Sequence, residues 1–273
     1  MIVEDLSAPS PGFARPPEGV QENWGAARRF LVSAPLNKAP AAGATLTETA
    51  YVRLREDILR GRLAPGEKLR IEWLRESYDI GASPLREALS RLATSGLVLA
   101  KGQQGFYVAQ VSIPQLLDIT KARVWAQTLA IRAAIVQGDR DWEARILAAT
   151  HRLGRMGAND DPVDWETQHS DFHATLISAC GSQHLINHCA QLQDLSDRYR
   201  WVSIRKAASR DTHAEHIALK DAVLARDKAT TERLIHDHFV ETTRIIIAND
   251  PSTQDEAEAL IGKLKAEIRS ALE

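Results

Sequence analysis

Two histidines four residues apart are the residues in this sequence whose types and spacing most directly point to chemistry. His169 and His173 lie in the stretch HSDFHATL, whose surroundings have the pattern of a helix. Residues at positions i and i+4 share one face of a helix, so the two imidazoles point the same way. Neutral imidazole is a common ligand for divalent metals. What the pair does therefore depends on which other side chains reach the same place.

The composition is that of a globular protein. Of 273 residues, 44% are hydrophobic and 26% are charged, which is enough apolar surface for a core in one or two domains. No apolar run approaches the roughly 20 residues that a membrane helix needs, so we expect no membrane partner, and we see no secretory signal. Two cysteines, Cys180 and Cys189, make no disulfide framework. These features predict a cytoplasmic protein.

Charge and histidine are unevenly spread along the chain. Residues 45–110 contain ten Lys/Arg against eight Asp/Glu, whereas residues 111–273 contain twenty against twenty-four. All nine histidines lie between His151 and His238. The mildly basic first part favours nucleic-acid contact, and the histidine-rich second part favours a separate role.

The first part of the chain has the pattern of a winged helix-turn-helix. Residues 1–44 are rich in Pro, Ala and Gly and are predicted to be a disordered extension. Residues 45–111 contain three helical patterns, the third with Ser83 as N-cap and Pro84 at its first position. The APGEKL stretch between the first two is predicted as a turn, and LVLAKGQQGFYVAQV alternates on both sides of a turn, as a β-hairpin does.

The remainder is predicted to be an antiparallel bundle of six or seven helices, so the whole chain is mainly α. Residues 112–250 would form this effector- and metal-binding domain, and residues 251–273 a C-terminal helix. The amphipathic segments are 113–137, 141–156, 162–180, 183–208, 211–226, 228–248 and 253–272.

The third helix of the winged domain would place its first turn against DNA bases, because the second helix of a helix-turn-helix enters the major groove. Ser83, Leu85 and Arg86 lie in that turn. Arg86 is the candidate for a bidentate contact with guanine, although it could equally be part of a solvated helix face. Contacts with the DNA backbone or minor groove are expected from Arg70, Lys101, Gln103 and Gln104.

The segment from LREDILRGRL to GQQGFYV resembles the N-terminal domain of GntR-family transcriptional regulators over its whole length. The PGEKL turn, PLREALSRL and the GF wing carry the resemblance. It implies a homodimer that binds double-stranded operator DNA. The family often has Ser-Arg-Thr before the proline, so a basic contact is missing at Ala82, and an arginine often found in the second helix falls on Glu72.

Residues 111–249 resemble the FCD-type ligand-sensing domain of the FadR subfamily of those regulators, on the motifs DFHATLISACGSQHL, AEHIALKDAVLARD and IHDHF. The resemblance implies metal ligands at His173, His216 and His238. The position of a fourth ligand, usually Asp, falls on His169. Four imidazoles suit Zn²⁺, or Ni²⁺ and copper nearly as well.

Two alternatives to this ligand set remain open. Asp171 competes for the fourth place, although it lies about 200° round the helix from both histidines of the pair. Cys180, His184 and His188 are spaced at i, i+4 and i+8 and could form a rival site, but Gly181-Ser182 would break a helix between them.

The words SDFHATL, DRYRW and WEARILAATH are most similar to a subgroup of regulators of glutarate and 2-hydroxyglutarate catabolism, which implies a five-carbon dicarboxylate effector. Gln127 stands where that family usually has Glu. Four neutral imidazoles leave a divalent metal its full charge, so the site should attract an anion. Arginine grips a carboxylate bidentately. The candidate effector residues are Arg123, Arg198, Arg200 and Tyr199.

Two functions compete. The first is a dimeric, metal-containing transcription factor, a repressor, that responds to a small carboxylate and is not an enzyme. The second is a metal-dependent, hydrolase-like enzyme that uses the histidine cluster to activate water. The attached winged domain and the lack of an obvious general base in the sequence favour the regulator.

Overall fold

The computed structural model describes residues 44–156, 162–203, 211–250 and 252–272. The predicted N-terminal extension falls, except for residue 44, outside these ranges. Within them, the expected mainly helical fold, with an N-terminal winged helix-turn-helix and a helical bundle, is confirmed. No helix in the described ranges is both long and apolar enough to span a bilayer.

The winged domain has three helices and three short strands. In chain order these are α1 (Leu46–Leu59), β1 (Lys68–Leu69), α2 (Ile71–Tyr78), α3 (Ala82–Thr94), β2 (Val98–Lys101) and β3 (Gly105–Val108).

Helix α3 begins earlier than the sequence pattern predicts. Its N-cap is Gly81, in extended conformation and without a side-chain capping bond, so Ser83 and Pro84 lie inside the first turn rather than at its edge. Proline is tolerated there because the first N–H groups of a helix have no partner within it. Asp79, at φ 53, ends α2 and sets the sharp turn between the two helices.

The wing is a three-stranded antiparallel sheet in the order β1-β3-β2. The predicted hairpin is present, with Leu99 opposite Tyr107. The stretch predicted only as a turn also contributes β1, whose Lys68 pairs with Tyr107 from the other side. A two-residue strand has too few residues to show alternation, so the sequence pattern could not reveal it.

The helical domain has seven helices and one 3₁₀ turn in the described residues. These are α4 (Ile113–Gln137), α5 (Arg140–Gly154), α6 (Pro162–Ile177), α7 (Gln183–Ser203), α8 (Thr212–Leu224), α9 (Lys228–Ala248), a 3₁₀ turn (Gln254–Glu256) and α10 (Ala257–Leu272).

Polar caps define where the long helices begin. The side chain of Ser112 accepts from the backbone N–H of Gln115 at the start of α4, and Asp227 accepts from Thr230 at the start of α9. Such caps satisfy N–H groups that the first turn leaves without a partner. Both helices have the bounds that the sequence pattern predicts.

Helix α6 ends at Ile177, three residues before its predicted end. Gly181 follows at φ +74, and a Cβ there would lie 2.4 Å from Gln137 Oε1, so no other residue fits this turn without strain. The turn reverses the chain into α7. It therefore separates Cys180 from His184, which removes the shared helix face of the rival metal site.

Helix α7 joins the two domains. Leu195 packs against the hydrophobic cores of both the winged domain and the bundle. Asp194 accepts a hydrogen bond from Arg55 Nε of α1 at 2.6 Å. Arg198 donates to the backbone oxygens of Ala109 and Gln110 at 2.6 and 3.1 Å. The same helix also faces the histidines, as described next.

Candidate metal centre and nucleic-acid interface

Four histidines from three helices meet inside the bundle. Helix α6 supplies His169 and His173, α8 supplies His216, and α9 supplies His238. All four are buried, with exposed fractions of 1, 2, 2 and 7%. One nitrogen from each ring lies within 4.8 Å of the others, which is close enough for one ion to contact all four.

The spacing of the rings fits a divalent metal. His169 Nε2 and His173 Nε2 are 3.1 Å apart. Two nitrogens that bind zinc tetrahedrally at about 2.0–2.1 Å lie about 3.4 Å apart. His238 Nδ1 lies 2.7 Å from Glu215 Oε2, a carboxylate placed to orient the ring. His173 Nδ1 has no hydrogen-bond partner within the described ranges.

Burial lowers the pKa of two of the histidines and so favours their neutral, metal-binding form. It lowers the pKa of His169 well below the ordinary value, and the charge of Arg200 lowers it further. The pKa of His173 is also lowered, first by burial and then by the neighbouring histidines His238 and His216. Neutral imidazole is the form that ligates a metal, so both rings are in the binding form at neutral pH.

A buried arginine lies next to the cluster. Arg123 is 4% exposed, and burial lowers its pKa to about 10. It donates to Ser196 Oγ at 3.0 Å and to the side-chain oxygen of Gln193, and it stacks 3.9 Å over the ring of Phe239. Phe239 in turn contacts the ring of His173. No carboxylate within ion-pairing distance of Arg123 is found in the described part of the chain.

A second arginine contacts the cluster directly. Arg200 Nη1 lies 2.9 Å from His169 Nδ1 and 3.4 Å from Glu166 Oε1. Trp165 stacks on the ring of His169, with the two ring centroids 4.8 Å apart and the planes inclined by 12°. The pKa of the nearby Asp197 is raised to about 7, first by burial and then by the charge of Glu166.

Glu166 and Asp197 are therefore site residues that the sequence reasoning missed. Both are buried, at 8 and 4% exposed. Their charges offset those of Arg123 and Arg200 rather than that of a metal, so the expectation that a divalent ion at the histidines attracts an anion stays a prediction. The spacing in the sequence could have identified Glu166, because a residue three positions before His169 lies on the same face of the helix. No local pattern marks Asp197.

Two of the predicted effector residues lie elsewhere. Arg198 donates to the linker carbonyls that follow β3. Tyr199 Oη bonds the backbone of Ser112 and donates to Gln115 Oε1 at 2.9 Å. Both side chains fasten the linker rather than face the histidines, because in α7 they lie on a different side from Arg200. Arg123 and Arg200 remain as effector candidates.

The alternative ligands do not join the cluster. Asp171 is exposed and pairs with Arg152 at 2.6 Å. His184 and His188 are exposed, whereas Cys180 is buried beyond the turn that ends α6. Gln127, at the position where the resembled family has Glu, is buried and its Nε2 lies 3.5 Å from the backbone oxygen of His173.

The residues predicted to contact DNA divide by exposure. Arg70, Ser83 and Arg86 are exposed, as are the wing residues Lys101, Gln103 and Gln104. Leu85 is fully buried in the core of the winged domain. The expectation that Leu85 contacts DNA is therefore wrong, because one helix turn always directs some side chains inward.

The wing carries a basic residue that the sequence reasoning missed. Lys68 of β1 and Lys101 of β2 flank Tyr107 of β3, with their Nζ atoms 5.6 and 4.8 Å from the ring centroid. Gln103 adopts φ 57 at the tip. Two lysines on one small sheet add positive charge suited to phosphate contact.

Comparison with known families covers both domains. The model described as bacterial regulatory proteins, gntR family, matches residues 46–108. The model of the FCD domain matches residues 118–241, which contain all four histidines.

Similar proteins are named as regulators. The HTH-type transcriptional repressor GlaR of Escherichia coli (strain K12) is 38% identical over 205 residues, which cover 72% of this chain and 93% of that protein. The HTH-type transcriptional regulator BphR of Paraburkholderia xenovorans (strain LB400) is 35% identical, over 74% of this chain and 85% of that protein. Among solved structures, E. coli McbR/YncC has the same fold, with a TM-score of 0.66 at 20% identity, covering 74% of this chain and 97% of that one.

Replacing Arg86 tests the reading face of α3. If Arg86 pairs with a guanine, Arg86→Ala should cost about 1–3 kcal/mol of operator binding and relax selectivity at one base pair. Gel shifts with base-substituted operators would measure both, with the exposed Arg145 replaced by Ala as the control for lost charge. Unchanged affinity and selectivity would remove Arg86 from the reading face.

Replacing one cluster histidine tests the metal site. If the four histidines form a zinc site, wild type should bind zinc stoichiometrically and His173→Ala should lose it. Zinc at about 100 times its Kd adds about 2.7 kcal/mol to stability, so its addition should raise the Tm of wild type by several degrees and that of the variant much less. Metal analysis and thermal unfolding measure these effects, with His188→Ala as the exposed control. A variant as zinc-rich and as zinc-stabilised as wild type would refute the site.

Proposed function

Because the chain belongs to the gntR family of bacterial regulatory proteins and carries an FCD domain, it is a DNA-binding transcriptional regulator, and we propose that a divalent metal and a small carboxylate effector in its helical domain control operator binding. The metal is Zn²⁺ in this proposal, with Ni²⁺ as the alternative. The ligands are His169, His173, His216 and His238.

The metal supplies a fixed positive charge inside the bundle when it is bound. The buried, neutral rings of His169 and His173 support its binding. The carboxylate of Glu215 supports it further by orienting His238. Four protein ligands would fill a tetrahedral zinc site, so an effector oxygen could bind the ion only as a fifth ligand, which some zinc sites accept.

Arg123 is the single observation that carries the effector proposal. A guanidinium buried in the bundle is costly unless it is paired, and only neutral groups bond to Arg123 in the described ranges. A carboxylate would complete it bidentately. A second carboxylate on the same ligand would reach the metal. The effector we propose is therefore a dicarboxylate. Its length of roughly five carbons, as in glutarate or 2-hydroxyglutarate, is taken from the resemblance described under the sequence analysis.

Helix α7 supports a route from the effector to DNA. Gln193, Ser196 and Arg200 face the site, whereas Asp194 and Arg198 bind the winged domain and its linker. A ligand that repositions the first set must displace the second, because one rigid helix carries both. The placement of the winged domains on their two half-sites would then change.

The remaining parts of the proposal follow from the family. A helix-turn-helix regulator binds paired half-sites as a symmetric dimer, so the functional unit is a homodimer. We propose repression as the sign of control, since the relative GlaR is named a repressor. A metal-dependent hydrolase is not proposed, because the named relatives are regulators and Glu166, the nearest buried carboxylate, lies within ion-pair distance of Arg200.

Release of DNA by diacids tests the function. We expect glutarate or 2-hydroxyglutarate to raise the Tm of the zinc-loaded protein and to release its upstream DNA in a gel shift. A monocarboxylate of equal length should do neither, because it lacks the second carboxylate that the proposal needs to contact both Arg123 and the metal. In His169→Asp, which lowers the charge of the site by one, the diacid should bind about tenfold more weakly or worse.

Two results would contradict these expectations. If the monocarboxylate works as well as the diacids, the two-ended grip is wrong. If His169→Asp binds the diacid more tightly than wild type, the charge argument is wrong. Failure to bind any upstream DNA would contradict the regulatory function itself.

Breaking the contact between α7 and α1 tests the route. Asp194→Asn removes the charge that accepts from Arg55, so the diacid should still bind with nearly its normal affinity but should release DNA less completely. Calorimetry would measure the affinity for the diacid, and a gel shift would measure the release of DNA. The control is Asp171→Asn, which breaks an exposed ion pair away from the domain contact. Equal release by Asp194→Asn and wild type would exclude this contact from the route.

A further inference from the structure

Arg200 lies against the nitrogen edge of a proposed metal ligand. Its Nη1 is 2.9 Å from His169 Nδ1 and 3.4 Å from His169 Nε2. A guanidinium has only donors, so the nearer ring nitrogen, Nδ1, must accept. The neutral ring then carries its proton on Nε2.

In this arrangement His169 has no nitrogen ready for a metal. Its protonated Nε2 lies 3.1 Å from His173 Nε2 and donates to it. Its Nδ1 accepts from Arg200. The hydrogen bond to His173 also occupies the lone pair of a second ligand, so both histidines of α6 are held in a closed network.

A metal-bound His169 needs the opposite arrangement. The ligating nitrogen offers its lone pair, and the other nitrogen donates its N–H to a carboxylate. The acceptor is already present, since Glu166 Oε1 lies 3.5 Å from His169 Nδ1. Both oxygens of Glu166 are buried and make no hydrogen bond within the described ranges. The same oxygen lies 3.4 Å from Arg200 Nη1, so the two donors compete for one place.

We propose that in the metal-free protein Arg200 holds His169 in the tautomer that cannot bind a metal through Nε2, and that Arg200 is released from Nδ1 when the metal binds. Glu166 then accepts from Nδ1–H as the positioning residue of His169. The ring keeps one proton throughout, which moves from Nε2 to Nδ1 by exchange with solvent, so no net proton is gained or lost.

The release of Arg200 gives the effector its second arginine, which rests on the function proposed above. A guanidinium engaged with His169 is not available to a carboxylate, whereas a released one is. Metal and diacid therefore strengthen each other's binding, and by linkage each does so by the same factor. The protein would respond to the diacid only when it is metal-loaded.

Imidazole nitrogen NMR tests the exchange directly. Long-range ¹H–¹⁵N correlation spectra of uniformly labelled protein, first treated with chelator and then loaded with zinc, report which ring nitrogen carries the proton, and loss of the signals in His169→Gln assigns them. We expect the proton on Nε2 without metal and on Nδ1 with zinc. A proton on Nδ1 in the metal-free protein would overturn the proposal and leave the metal site intact.

Zinc affinity gives an independent measurement. Competition with a chromophoric chelator should show that Arg200→Gln binds zinc about tenfold more tightly or better, because a charge-assisted hydrogen bond no longer opposes the ion. Arg123→Gln removes a buried cation that does not touch the ring nitrogens, so its gain should be clearly smaller. In the zinc-loaded protein, Arg200→Gln should also weaken diacid binding about tenfold or more.

Three outcomes separate the ideas. Equal gains in zinc affinity in Arg200→Gln and Arg123→Gln would reduce the effect to simple charge repulsion and overturn the role of Arg200 in holding the tautomer of His169. In Glu166→Gln the amide oxygen can still accept from Nδ1–H, so zinc binding should be better retained than in Glu166→Ala. Equal losses in these two variants would overturn the positioning role. A wild type that binds no zinc would refute the proposed function as well.

Discussion

The rest of the structure depends on the cost of burying charge in a helical bundle. Arg123, Arg200, Glu166 and Asp197 lie beside four imidazoles that are themselves out of water. Each ion would be strongly destabilising alone, so each must have a partner of opposite sign, a dipole or a ligand. Within the described ranges, Arg123 hydrogen-bonds only to neutral groups, and the two oxygens of Glu166 make no hydrogen bond. An interior of this kind stabilises the fold best when a cation and an anion complete it.

Because of that constraint, a ligand that pairs with the buried charges would also stabilise the folded protein. A ligand that binds only the folded protein stabilises it more as its concentration rises, and here the proposed carboxylate would also pair with the buried guanidinium of Arg123. Because the charged groups come from α4, α6 and α7, their satisfaction tightens three helices at once. The site is therefore coupled to the packing of the bundle rather than attached to its surface.

Helix α7 converts this local coupling into contact with the DNA-binding domain. Because a helix has 3.6 residues per turn, residues on one side of α7 face the interior of the bundle and residues on another side face the winged domain and its linker. Arg198 and Tyr199 hold the linker after the wing, and Leu195 joins the two hydrophobic cores. The winged domain therefore rests on the same rigid element that the effector residues share.

The sequence by itself determined the helices, the winged domain and, by resemblance, three of the proposed metal-ligand positions, because local periodicity, capping and motif spacing are encoded within a few turns of chain. Helices α4 and α9 have the predicted bounds for this reason. Only the tertiary structure decided which faces meet. It buried Leu85, turned Arg198 and Tyr199 toward the linker, paired Lys68 with a strand 39 residues later, and brought Asp197 and Glu166 to the histidines. Period fixes the angle between side chains on one helix, but the neighbour that each side chain meets is set by packing between distant segments, which no local pattern records.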